Sequence, residues 1–157
     1  MILVGAASVR TGSAGGRERV QLVAAFARQD DPMLRMLVGA IAARADLTLA
    51  AIDDLQLALE TVLATVDDSA QLELDFVLDG ERLSVRVAPL PARIEPLLAG
   101  DAATTPGLGE DRAPGAEDRP YVPSLAEVLT TLADGCRVER AREGLAVTLE
   151  KRRLRGG

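Results

Sequence analysis

The stretch Thr48 to Asp68, TLAAIDDLQLALETVLATVDD, constrains the fold of this chain more than any other. Ile52, Leu55, Leu59, Val62 and Val66 recur at alternating three- and four-residue steps, so they share one buried face of a helix. Thr48 can cap that helix, and Asp53 and Asp54 place negative charge near its positive end. Gln56, Glu60 and Ala64 lie four apart on a different stripe and stack one above the other.

The remaining segments supply the layer that such a helix packs on. Leu72, Leu74, Phe76 and Leu78 alternate with mostly polar residues, and Leu83, Val85 and Val87 do the same after an Asp79-Gly80 turn, a strong hairpin signal. One greasy and one polar face per strand predicts an antiparallel sheet covered on one side only. Arg19 to Ala27 reads as a first strand. Met33 to Ala45 reads as a helix after Asp31-Pro32, with Leu34, Leu37, Ile41 and Ala42 inward. Ser124 and Glu127 make a capping-box signature before Leu125, Val128, Leu129 and Leu132. Arg137 to Ala141 and Leu145 to Lys151 form a last hairpin around Glu143-Gly144. The order β-α-α-β-β-loop-α-β-β predicts a two-layer α+β fold, with helices packed on one face of an antiparallel sheet. A single domain is expected over residues 18–152. Residues 1–17 are a flexible Gly/Ser-rich lead, residues 89–123 a lid-like loop holding seven of the eight prolines, and residues 153–157 a frayed tail.

Composition narrows the function. The chain has 157 residues and a net charge of −6. That balance argues against a general nucleic-acid binder, which needs a basic footprint. Histidine and asparagine are both absent, and Lys151 is the only lysine. The single cysteine, Cys136, rules out an internal disulfide and a thiolate metal cluster, and is read as a small buried hydrophobe. No segment has the roughly 20 apolar residues of a membrane helix, and the opening residues are not a signal peptide. A soluble cytoplasmic protein is expected.

Three stretches together resemble the anti-sigma factor serine kinases of bacterial partner-switching systems, members of the histidine-kinase-like ATPase (GHKL) superfamily with its Bergerat fold. DPMLRMLVGAIAARADLT is similar to the family's first helix and the turn after it. AAIDDLQLALETVLATV is similar to the helix that bears the E-A-x-x-N-A motif. SLAEVLTTLADGCRVERAREGLAVTLEKR is similar to the last helix and terminal hairpin, with their D … K pattern. The resemblance implies a Bergerat-type sandwich, with Glu60 at the position of the glutamate that orients or deprotonates the attacking nucleophile. The asparagine that would hold magnesium falls on Ala64. The D-x-G-x-G motif falls on Ala88 to Pro91, which has neither carboxylate nor glycine. Tyr-Val-Pro-Ser-Leu stands where glycines should cradle phosphate.

These losses lead to the expectation of a degenerate, pseudokinase-like regulator without cofactor, in which Glu60 is vestigial and function rests on protein binding. By resemblance the partner is a sigma factor or a STAS-type anti-anti-sigma factor, met through the first helix, including Arg35, and the Pro89–Pro123 lid, and a homodimer is expected through the exposed sheet. Two alternatives stay open. One is an active ATP- and magnesium-dependent serine kinase with metal ligands from the lid, such as Glu110 or Asp111. The other is a sensory domain with a small-ligand pocket between Leu59, Leu63 and the lid. Plainer readings also stand: Glu60 as a solvated glutamate, Arg35 as an ordinary helix arginine, Asp67-Asp68 as a solvated pair, and Asp53-Asp54 as charges on the helix dipole. The arginines of the last hairpin would then simply pair with Glu139, Glu143 and Glu150.

Overall fold

A computed structural model of the chain describes residues 8–26, 31–68, 70–99 and 123–153. It is α+β. Six strands form one sheet: β1 (Ser8–Ala14), β2 (Arg17–Ala25), β3 (Gln71–Asp79), β4 (Arg82–Leu90), β5 (Gly135–Arg140) and β6 (Leu145–Arg152). Among the described residues four helices accompany it: α1 (Asp31–Arg44), α2 (Leu49–Leu63), the single turn α3 (Glu95–Leu98) and α4 (Leu125–Leu132). The strand order is β1-β2-β3-β4-β6-β5 and every pairing is antiparallel.

The register explains the core. Val20 lies opposite Phe76, Phe76 opposite Val85, and Val85 opposite Leu149, so one row of apolar side chains crosses four strands. Leu22, Leu74, Val87 and Val147 make the next row. Leu34, Val38, Ile41 and Ala42 from α1 and Leu55, Ala58, Leu59 and Val62 from α2 close over these rows, and all are buried. Ile52 and Val66, expected on the same stripe, are half-buried at its ends. The Thr48 hydroxyl accepts the Ala51 amide at 3.2 Å and starts α2 where the sequence places it. At α4 both arms of the capping box form.

Two segments differ from expectation. Residues 8–14, inside the stretch read as a flexible lead, form an edge strand in which every side chain is exposed. Gly15 and Gly16, at φ 58° and 80°, close a two-residue hairpin loop that pairs β1 with β2, a geometry that needs left-handed backbone at both positions. At the start of the segment read as a lid, Ala92–Ile94 form a 3₁₀ turn leading into α3, and Ile94 enters the core at 2% exposure. Residues 100–122 and 154–157, the rest of the lid and most of the tail, lie outside the described residues, as do Glu110 and Asp111.

Candidate functional site

The outward stripe of α2 meets α1 in a polar seam. Glu60, half-buried, and Arg35 on α1 form a two-pronged ion pair: Nε lies 2.5 Å from Oε1 and a terminal nitrogen donates to Oε2 at 2.7 Å. One turn earlier, the Gln56 amide donates to the Arg35 carbonyl at 2.7 Å. Oε1 of Glu60 is buried and relies on the guanidinium charge, because its approach to Nε lacks hydrogen-bond geometry. The arginine and the glutamate, singled out separately in the sequence, are thus one unit. The next residue on the stripe, Ala64, caps the end of α2 and offers no side-chain donor.

A magnesium-bound triphosphate asks for oxygen ligands to the cation, an open approach for the nucleotide, and free amides for the phosphates. Among the described residues the donor set does not fit it, while Glu110 and Asp111 of the lid lie outside them. Glu60 is already engaged by a cation of the chain's own, and position 64 is alanine. At the end of β4 the Leu90 carbonyl lies 2.1 Å from where a Cβ on Gly144 would stand, and the open hollow of about 290 Å³ beside it is lined by Pro89, Leu90 and Pro91 of this segment, which bring neither the carboxylate nor the glycine-rich backbone of a nucleotide loop. The N-terminus of α4 is also spent, since the Ser124 hydroxyl accepts the Glu127 amide at 3.3 Å and a Glu127 carboxylate oxygen accepts the Ser124 amide at 2.7 Å. That carboxylate would repel a phosphate. Among the described residues no cluster of three or more carboxylate or thiol side chains could hold a metal ion.

Other charged residues find structural partners. Asp67 is clamped by Arg93 at 3.1 and 3.3 Å, and the same guanidinium donates to the Thr65 carbonyl at 3.2 Å, tying the end of α2 to the 3₁₀ turn. Asp67 nonetheless stays 82% exposed, in line with its reading as a solvated carboxylate. The first turn of α2 holds no acidic residue, so Asp53 and Asp54 lie past the reach of the helix dipole, and Asp54 instead meets a lysine: Nζ of Lys151 lies 2.9 Å from its Oδ2 and 3.9 Å from Oδ1 of Asp134. Lys151 sits on the inner face of β6 at 7% exposure. The D … K pattern at the chain end therefore builds a junction among α2, β6 and the residues after α4. In the last hairpin, Glu139 and Glu150 pair with Arg86 and Arg82 of β4, while Arg140 and Arg153 reach Glu95 and Asp46. Cys136 is exposed on β5, contrary to the expectation of a buried hydrophobe, and partial desolvation raises its thiol pKa.

The uncovered face of the sheet is a lattice of charges. Arg19 grips Asp75 with two hydrogen bonds of 2.6 Å, and Asp75 is 9% exposed. That hydrogen bond, then the charge of Asp75, raises the Arg19 pKa further. Gln21 donates to Glu73 at 2.8 Å, and Arg17 to Asp79 at 2.9 Å. Between α2 and α4 runs an open groove of about 480 Å³ lined by Leu57, Pro123, Val128 and Leu132 among others. Leu59 is fully buried in the core and Leu63 half-buried, and most of the lid that would complete the ligand pocket expected beside them lies outside the described residues.

No protein-family model matches the chain, and no curated protein matches it. Among the described residues no helix is long and apolar enough to cross a membrane.

Proposed function

We propose that this chain is a regulatory domain that acts by binding another protein, built on a Bergerat-type scaffold whose nucleotide chemistry has been lost. The observation that carries the reading is the Arg35–Glu60 pair beside Ala64. A glutamate held by two contacts to a guanidinium is a poor general base, because taking a proton would break a charge-assisted, two-pronged interaction. The pair also holds Arg35 in place while leaving it 56% exposed. A pre-ordered arginine loses less side-chain entropy when it meets a partner. Met33 and Met36, exposed on the same helix at 50% and 73%, flank it with soft apolar surface that adapts to a protein partner. By resemblance the partner is a sigma factor or an anti-anti-sigma factor of the STAS type.

The test has two arms. Titration calorimetry with ATP and ADP, with and without magnesium, should give no heat at millimolar nucleotide. Binding to candidate sigma and STAS-type partners should be measurable, and Arg35→Ala should weaken it at least tenfold, a loss of about 1.4 kcal/mol or more that marks Arg35 as one of the few residues carrying the binding energy. Glu60→Gln should weaken it less, because it loosens Arg35 without removing it. Magnesium-dependent nucleotide binding that Glu60→Ala abolishes would overturn the reading.

A further inference from the structure

The free edge of β5 carries a self-complementary pattern. Its sequence is Gly135-Cys136-Arg137-Val138-Glu139-Arg140, and residues 136–140 are all exposed, so the strand projects past the helical layer. The Ala141 amide donates to the Gly144 carbonyl at 3.0 Å, which fixes the phase of the hairpin. Counting back from Ala141 by the alternation of an antiparallel ladder, Arg137 and Glu139 bond toward β6, while Cys136, Val138 and Arg140 turn their amides and carbonyls to the open edge. Arg137 and Glu139 share the polar face of the sheet. Val138, 37% exposed, lies on the helix side.

We propose that β5 is the interface with a second copy of this chain, joining two sheets edge to edge about a two-fold axis through Val138. A closed dimer requires each strand to face itself in reverse. With Val138 opposite its own copy, the outward amides of Cys136, Val138 and Arg140 find carbonyl partners. Arg137 of each chain then lies directly opposite Glu139 of the other. A slip by two residues either way puts Arg137 against Arg137 or Glu139 against Glu139, and like charges directly opposite are destabilising. A slip by one mismatches the amides and turns every side chain to the wrong face. One register therefore satisfies both the backbone and the charges. Among the described residues Arg137 has no ion-pair partner, while Glu139 is held from the other side by Arg86 at 3.2 Å. The second copy would complete an Arg86–Glu139–Arg137 chain. The opposite edge, β1, has no such pattern, because its single charge, Arg10, would face Gly12. The charged lattice on the open face likewise favours edge pairing over face-to-face packing of the sheets. The resemblance implies a homodimer through the exposed sheet; the edge of β5 replaces that face as the contact, on grounds independent of the partner-binding reading.

Sedimentation equilibrium of the full chain tests it, using two single variants. Arg137→Glu and Glu139→Arg each place like charges opposite at both symmetry-related positions and should weaken self-association about tenfold or more. Mixed in equal amounts, the two variants put opposite charges at both positions, and the heterodimer should recover wild-type affinity. Val138→Asp, which sets two carboxylates across the axis, should also give monomer. Far-UV circular dichroism and a melting curve establish that each variant is folded. A wild-type chain that stays monomeric at roughly 100 µM, where even weak association registers, would overturn the proposal. So would single variants that associate like wild type, or a mixture that fails to recover.

Discussion

Removing Asp54 should cost more than removing Lys151, and the reason lies in which partner is buried. The Lys151 side chain is 8% exposed, against 42% for Asp54 and 43% for Asp134. In Asp54→Ala the ammonium stays inside the core with only Asp134, at 3.9 Å, to balance it. Breaking a fully buried pair costs about 3–5 kcal/mol. Asp54 is partly solvated and a second carboxylate remains, so we expect about 2 kcal/mol here, discounting for exposure. For a domain of this size that is a fall in Tm of roughly 4–8 °C. Lys151→Met instead removes the charge and leaves an unbranched apolar chain in a row that already holds Leu145, Val147 and Leu149. Both aspartates can then turn to water, and the cost should stay within about 1 kcal/mol. The double variant should be little worse than Lys151→Met alone, giving a coupling that a double-mutant cycle resolves. Asp53→Ala, one residue away on the exposed side of α2, should be close to neutral. Urea unfolding of the four variants measures this directly. If Lys151→Met costs as much as Asp54→Ala, the reasoning from buried charge is refuted and the lysine stem carries the packing.

Further expectations follow from single contacts. Gly144→Ala should lower stability by more than about 2 kcal/mol, since φ is 83° there and the new Cβ would meet the Leu90 carbonyl at 2.1 Å; a melting curve within a degree of wild type would contradict it. Ser124→Ala removes half of the capping box on α4 and should cost about 1 kcal/mol in urea unfolding. Cys136 has a raised thiol pKa in the folded chain, so the fold favours the protonated thiol. Its contribution is present below the unfolded value of roughly 8.5 and is lost as pH rises through the folded value. Stability should therefore decline on the alkaline side, and Cys136→Ser should flatten that decline; a steeper decline in the serine variant would invert the sign.

The strands of the core were legible because period-two alternation survives in Leu72–Leu78, Leu83–Val87 and Leu145–Leu149, and the register joins those same residues into rows. The caps at Thr48 and Ser124 are local chemistry and form as read. β1 escaped notice because SVRTGSA has no apolar alternation; its pairing comes from the Gly15-Gly16 loop and the neighbouring strand. The lysine junction had a signal in the sequence, since Lys151 continues the period of Leu145, Val147 and Leu149 onto the buried face. Its partner Asp54 lies 97 positions away and could not be named from spacing. The Arg35–Glu60 pair, 25 positions apart, depends likewise on how α1 and α2 dock. Local periodicity specifies elements, whereas side-chain pairings across elements need the packing.

In the proposed regulator Glu60 serves Arg35 rather than a nucleotide. That role is tested most directly by titrating the wild-type protein with ATP and ADP in a calorimeter, with and without magnesium. No heat and no thermal stabilisation are expected at millimolar nucleotide. Micromolar, magnesium-dependent binding that disappears in Glu60→Ala would contradict it.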